Sequence, residues 1–232
     1  MRAHLEAGIT SSTEPAPAAL ALIRAATRLL PVPLVPEIRL YQASEPIALW
    51  EQTEAAAGRP GLDPPFWAFA WAGGQALARY VLDHPEVAAG RRVVDMAAGS
   101  GLVAVAAARA GAAEVTACDV DPLAAAAAAL NAAANQVAVS TVCADVLEDD
   151  GFPAPGTGLV LVADAFYQRE LAARMLRFAQ RARGRGAAVL VGDFGRAYLP
   201  RQRLLPVAAY DVPCPPGLED SDSKRTTIWA LA

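Results

Sequence analysis

The sequence, 232 residues long, predicts an α/β fold built on a mostly parallel sheet. Three observations carry that prediction. Short valine-rich apolar runs alternate with helix-forming stretches from residue 92 onward. A glycine turn follows the first run, and carboxylates stand at or just beyond the ends of the first three. A chain of this length suits one α/β domain with an N-terminal attachment.

The attachment comes first. A Ser/Thr/Pro cluster from Thr10 to Pro17 leads into an expected amphipathic helix from Ala18 to Leu30, which proline stops. Pro31, Pro33 and Pro36 impose extended backbone into Glu37 to Tyr41, and Arg59-Pro60-Gly61 and Asp63-Pro64-Pro65 punctuate the approach to Phe66. Residues 1–65 are read as an appendage and 66–232 as the main domain. That domain opens with a helical region crowded by Phe66, Trp67, Phe69 and Trp71, running through Leu82 and ended by Asp83-His84-Pro85.

Arg92 to Met96, Gly101 to Ala110 and Glu114 to Cys118 form a strand, helix, strand unit. Next come an alanine-rich helix from Pro122 to Asn135 and strands at Val139 to Cys143 and Leu159 to Ala163. A helix from Arg169 to Arg183 and a strand at Ala187 to Gly192 complete the alternation. The run Ala124 to Ala129 is simple in composition, but alanine's helix propensity makes it a helix packed closely on a sheet. Thr226 to Leu231 is the last strand, expected to lie antiparallel at the sheet edge. Tyr41, Trp50 and Trp229 are core candidates.

Composition narrows the partners. Twenty Lys and Arg against 24 Asp and Glu leave a net charge of −4, so the whole-molecule field does not gather nucleic-acid phosphates. No stretch approaches ~20 consecutive strongly apolar residues, which argues against a membrane span, and no secretory signal is expected. Cys118, Cys143 and Cys214 are odd in number and lack metal-ligand spacing. That points to a reducing, cytoplasmic setting with no structural metal. His4 and His84, the two histidines, are expected at the surface without a role. Arg181-Ala182-Arg183-Gly184-Arg185 reads as a solvated basic helix end.

The chemical signals begin at Val93-Val94-Asp95-Met96-Ala97-Ala98-Gly99-Ser100-Gly101. Glycines there let a ligand approach the backbone, and the following helix presents free N–H groups, so a nucleotide-like cofactor is expected. Gly99-Ser100-Gly101-Leu102-Val103-Ala104 also satisfies the GxGxxA dinucleotide pattern, which keeps an NAD-dependent oxidoreductase open. Asp95 is costly to bury without a cation or hydrogen-bond donor; the ammonium of an aminoacyl group would serve, and a turn cap is the plainer role. Asp119 ends the next strand 18 residues after Gly101, where a carboxylate accepts ribose hydroxyls. Asp121 before Pro122 reads as a helix N-cap. Asp145, after Cys143-Ala144, is placed to accept the exocyclic amine of an adenine.

The Val-Val-Asp-Met-Ala-Ala-Gly-Ser-Gly turn, then Cys118-Asp119-Val120-Asp121-Pro122, then Ala144-Asp145, resembles the class I S-adenosylmethionine-dependent methyltransferases. The usual first glycine of that family is Ala97 here. Three further segments are similar to a narrower group, the electron transfer flavoprotein β-subunit lysine methyltransferases. They are Pro65 to Leu77, Asp164-Ala165-Phe166-Tyr167, and Gly192-Asp193-Phe194-Gly195-Arg196, and Val35 to Leu40 is similar as well. Related amide-nitrogen methyltransferases carry Asn-Pro-Pro-Tyr at the turn that begins with Asp164, and an acidic first residue suits an ammonium better.

The resemblance implies a Rossmann-like, seven-stranded, mostly parallel sheet with helices on both faces and S-adenosyl-L-methionine across the carboxyl ends of the strands. It implies that Asp95, Ala97, Gly99, Gly101, Asp119 and Asp145 hold the cofactor, with Gly73 near its methionine part and Trp71 lining the site. It implies that Asp164, Phe166 and Tyr167 receive a lysine of a protein substrate, the flavoprotein β-subunit first and a ribosomal protein second. A small-molecule N-methyltransferase is the alternative. Transfer of methyl from sulfonium to amine needs no acid, so positioning is what the protein adds. Asp164 acts in two directions, attracting the ammonium while raising its pKa, whereas desolvation by Phe166 and Tyr167 favours the neutral amine.

Overall fold

The computed structural model describes residues 15–44, 49–51, 54, 55, 58, 64–214 and 222–232. His4 and most of the cluster before Pro17 lie outside them. A two-stranded sheet, β1 (Arg28–Val32) and β2 (Val35–Gln42), precedes a seven-stranded one. The larger sheet contains β3 (Arg92–Met96), β4 (Glu114–Asp119), β5 (Ser140–Cys143), β6 (Thr157–Ala163), β7 (Ala188–Asp193), β8 (Leu204–Pro213) and β9 (Ser223–Leu231). Its order is β5-β4-β3-β6-β7-β9-β8; β3 to β7 run parallel, and β9 is antiparallel to both neighbours.

Helices α1 (Pro17–Ala26), α2 (Ala72–Asp83), α3 (Leu102–Arg109), α4 (Pro122–Ala134) and α5 (Arg169–Gly184) accompany it. Alternation along the strands feeds two cores. Val93, Leu159, Leu161 and Leu190 pack with α2, α3 and α4, while Val94, Met96, Val160, Val162, Val189 and Val191 pack with Met175 and Phe178 of α5. Coverage of both faces explains why the strands read as continuous apolar runs. A third cluster joins Ile23 of α1 and Trp67 to Ala124, Ala126 and Ala127 of α4.

The N-terminal hairpin is tied down by amides from the alanine helix. Asn131 Oδ1 accepts the backbone N–H of Tyr41 (2.8 Å) and Asn135 Oδ1 that of Arg39 (3.0 Å). Asn131 also donates to the Ser100 carbonyl (2.8 Å), linking the hairpin to the glycine turn.

Several sequence expectations need correction. The first helix ends at Ala26, not Leu30, because Thr27 turns its hydroxyl back to the Ile23 carbonyl and β1 begins at Arg28. The aromatic segment is a 3-10 turn at Phe66–Ala68, then a break, with α2 starting only at Ala72. β8 has no counterpart in the sequence expectation, and it takes the edge assigned to the last strand: β9 inserts between β7 and β8. Trp50 is exposed, whereas Tyr41 and Trp229 are half-buried. The expectation for Asp121 holds: it is the N-cap of α4, accepting from Leu123 N at 2.8 Å.

Candidate functional site

The chain leaves β3 for β4 and β5 on one side, then returns to β6 on the other, so the strand order reverses at β3. Open α/β sheets bind ligands at such a switch, beyond the carboxyl ends of the strands. A cavity of about 250 Å³ lies there, lined from β3, β4, β6, their loops, the segment before α2, and Arg196 after β7.

The turn after β3 is shaped by left-handed backbone at Ala97 (φ 52°), Gly99 (φ 51°) and Gly101 (φ 74°). Gly101 does not line the cavity; it packs on Ala128, which lets α3 start close to α4. Asp95 is 1% exposed, and its Oδ2 accepts the N–H of Ala104 in α3 at 2.9 Å. Burial pushes its carboxyl up to about 8, against the Ala104 N–H and reinforced by the nearby Asp119 charge.

Asp119 closes the turn from β4. Its Oδ2 accepts from Gly99 N (2.8 Å) and its Oδ1 from Asp121 N (3.1 Å), leaving lone pairs on each oxygen for a ligand. Burial raises this carboxyl too, opposed by those N–H groups. Asp145 stands apart: it does not line the cavity, and Arg174 of α5 grips its Oδ2 at 2.7 Å. Its hydrogen bond from Arg174, partly opposed by burial, holds the Asp145 carboxyl below the usual range.

Across β3, Asp164 leaves β6 with φ 55°. Its Oδ2 accepts from Gly74 N at the start of α2 (2.9 Å) and its Oδ1 from Arg196 Nη2 (2.8 Å). Burial raises the Asp164 carboxyl; the Arg196 guanidinium and the N–H groups at the α2 terminus pull the other way. Gly73 does not line the cavity but makes this approach possible, since a Cβ there would come 2.6 Å from Asp164 Oδ2. Phe166 is buried in the core beneath, beside Met175 and Phe178, whereas Tyr167 lines the cavity at 39% exposure. Tyr167 and Trp71 join an aromatic wall through Phe66, whose ring centroid lies 5.5 Å from that of Tyr167 and 5.8 Å from that of Trp71. Trp71 Nε1 donates to the Phe66 carbonyl at 2.8 Å.

Of the residues singled out from the sequence, Asp95, Ala97, Gly99, Asp119, Trp71, Asp164 and Tyr167 thus meet in one cavity; Gly73, Gly101, Phe166 and Asp145 do not line it. From the aromatic segment Phe66 to Trp71, the sequence reading takes only Trp71 as a wall of the site, whereas Phe66 and Phe69 line the cavity too; Leu171 and Arg196 have no expected role as lining residues. The Gly192 to Arg196 segment stands out by resemblance, but only the adjacency of β6 and β7 brings Arg196 to Asp164.

The profile of the family described as Ribosomal protein L11 methyltransferase (PrmA) matches residues 75–163. Magnesium protoporphyrin IX methyltransferase (ChlM) from Synechocystis PCC 6803, solved with bound SAM, has the same fold. Its TM-score is 0.51 at 13% identity, covering 79% of this chain and 91% of that one. The sheet order and the cavity at its carboxyl edge are those of the class I methyltransferase fold. Two electron transfer flavoprotein beta subunit lysine methyltransferases align with most of the chain. The one from Xenopus laevis is 35% identical over 207 residues (86% of this chain, 81% of the relative), and the one from Danio rerio 37% over 201 (84% and 76%). The chain belongs to the electron transfer flavoprotein β-subunit lysine methyltransferase family.

Proposed function

We propose that the chain methylates lysine ε-nitrogens of the electron transfer flavoprotein β-subunit. The observation that carries this reading is the cavity-lining carboxylate of Asp164 beside the half-exposed Tyr167, at the carboxyl edge of the sheet. The names of the relatives supply the protein target. The donor set suits S-adenosylmethionine: a buried carboxylate on β3 and a half-buried one on β4 for ammonium and hydroxyl groups, and an aromatic wall for an apolar body. When bound, that cofactor supplies a methyl activated on a sulfonium.

In this reading Asp119 accepts ribose hydroxyls, Asp95 the methionine ammonium, and the Gly99 turn provides close backbone approach, with Ala97 shaping it. Trp71 walls the site, while Gly73, Gly101 and Phe166 act by packing. Asp145 serves the adenine only if it turns from Arg174. Asp164 and Tyr167 orient the lysine nitrogen, and exclusion of water by the aromatic wall favours its neutral form. Every lining residue falls between 66 and 196, which supports treating 66–232 as the catalytic domain and 1–65 as its attachment. The odd number of cysteines, without metal-ligand spacing, supports a reducing, cytoplasmic setting. Among the described residues no helix is long and apolar enough to cross a membrane.

Purified protein, methyl-labelled S-adenosylmethionine and the flavoprotein β-subunit test the reading. Label should enter lysines of the β-subunit, and Asp164→Asn should abolish most of it while keeping cofactor affinity. Label entering only a ribosomal protein or small amines would overturn the target.

A further inference from the structure

The loop after β7 delivers a cation to Asp164, and the loop is built to hold it there. Asp193 Oδ1 accepts the backbone N–H groups of Gly195 (2.6 Å) and Arg196 (2.7 Å), fixing where the arginine leaves the chain. The guanidinium carbon lies 4.5 Å from the Phe194 ring centroid, and Nη2 reaches Asp164 Oδ1 at 2.8 Å. Arg196 Nε is buried without a hydrogen-bond partner, 3.9 Å from Asp193 Oδ2, which also has none. Both Asp164 and Arg196 line the cavity, so a nitrogen that reaches the carboxylate meets the guanidinium at once.

A lone carboxylate would stabilise an ammonium and so oppose the loss of the proton that blocks attack. A guanidinium beside it reverses that bias and leaves lone pairs to accept an amine N–H. We propose that Arg196 is a positioning residue that neutralises Asp164, so that the carboxylate orients the substrate lysine nitrogen as a neutral amine. The inference rests on the lysine reading above. The ε-ammonium gives one proton to water and its nitrogen keeps the electron pair, which would form the new bond to the donor methyl as the carbon–sulfur bond breaks and its pair stays on sulfur.

Other charges surround the pair. Asp95 and Asp119 face the cavity from β3 and β4, and Tyr167 from the loop after β6. Asp193 lies behind Arg196, and Lys224 of β9 sits with its nitrogen 4.7 Å from the Phe194 ring. Arg201 approaches Gly195 from the next turn. These stay in place when Arg196 alone is changed, which makes its effect separable.

The experiment follows kcat against pH for transfer to the flavoprotein β-subunit, with the parental protein, Arg196→Gln and Arg196→Lys. Arg196→Gln should move the rising limb up by about 1–3 pH units and recover to within a few-fold of parental turnover in alkali. Arg196→Lys should keep the parental profile. An equal loss by Arg196→Gln at every pH, or an unmoved limb, would overturn the proposal. A second measurement needs no substrate: the Asp164 carboxyl carbon resonance, assigned by its loss in Asp164→Asn. It should report an ionised group at neutral pH in the parent and a titration moved to higher pH in Arg196→Gln; a protonated Asp164 in the parent, or an unmoved titration in the variant, overturns the proposal. If the parental protein leaves the β-subunit unmethylated, the lysine reading fails, and the resonance still decides what Arg196 does to Asp164.

Discussion

Gly101 lies directly against Ala128: a side-chain carbon at position 101 would come 2.7 Å from the Ala128 Cβ. The contact sets how closely α3 and α4 approach and therefore where the N–H groups of the turn point. Gly101 also has φ 74°, so space and backbone oppose substitution together. Gly101→Ala should cost about 1–3 kcal/mol in denaturant unfolding. Ala128→Gly in the same chain should return part of that, and no return would mean backbone strain alone decides.

Ala97 presents the opposite case, a residue with Cβ in left-handed backbone. That conformation costs an L-residue roughly 1–2 kcal/mol, and glycine gives back about 0.5–1 kcal/mol through the unfolded chain. Ala97→Gly should therefore stabilise the fold by about 0.5–1 kcal/mol, visible as a raised denaturation midpoint with an unchanged slope.

Asp119 serves two backbone donors as well as the ligand it is proposed to hold. Asp119→Ala should weaken S-adenosylmethionine binding by about 1–3 kcal/mol in calorimetry and lower stability too. Asp145→Ala, whose carboxylate is turned to Arg174, should change affinity less than Asp119→Ala does. The reverse ranking would show that Asp145 turns inward when the cofactor binds.

Burial of Asp95 makes stability depend on pH. Its carboxyl is pushed up to about 8 from 3.8, so between those values the folded chain keeps a proton the unfolded chain has lost. This contribution makes stability fall as pH rises through that window and level off above it. Asp95→Asn keeps an acceptor for Ala104 N and does not titrate. Unfolding experiments without cofactor should find the variant near parental at pH ~4 and more stable by about 2–4 kcal/mol at pH ~9. Its S-adenosylmethionine affinity should fall. A constant stability difference across pH would place the carboxylate in a better-solvated site.

The strands from β3 to β7 were legible because each is buried on both faces and flanked by turn residues. β8 was hidden because it buries only Leu204 and Val212 and carries Pro206 and Pro213, as an edge strand tolerates. The start of α2 was obscured by Gly73 and Gly74 in its first turn, glycines that serve the approach to Asp164 rather than the helix. Asp95, Asp119 and Asp164 were readable as strand-end carboxylates. Their partners were not: Arg196 to Asp164 and Arg174 to Asp145 join residues 32 and 29 apart, set by which strands and helices become neighbours.

The placement of β9 has a consequence for assembly in time. β7, whose carboxyl end carries Asp193 and leads to Arg196, has β9 as its partner on the side away from β6. Synthesis supplies β3 to β7 before β9, so the loop beyond β7 lacks its neighbouring strand until residues 223–231 have been made. The strands that carry Asp95, Asp119 and Asp164 are made early; the loop that carries Arg196 gains its neighbouring strand last.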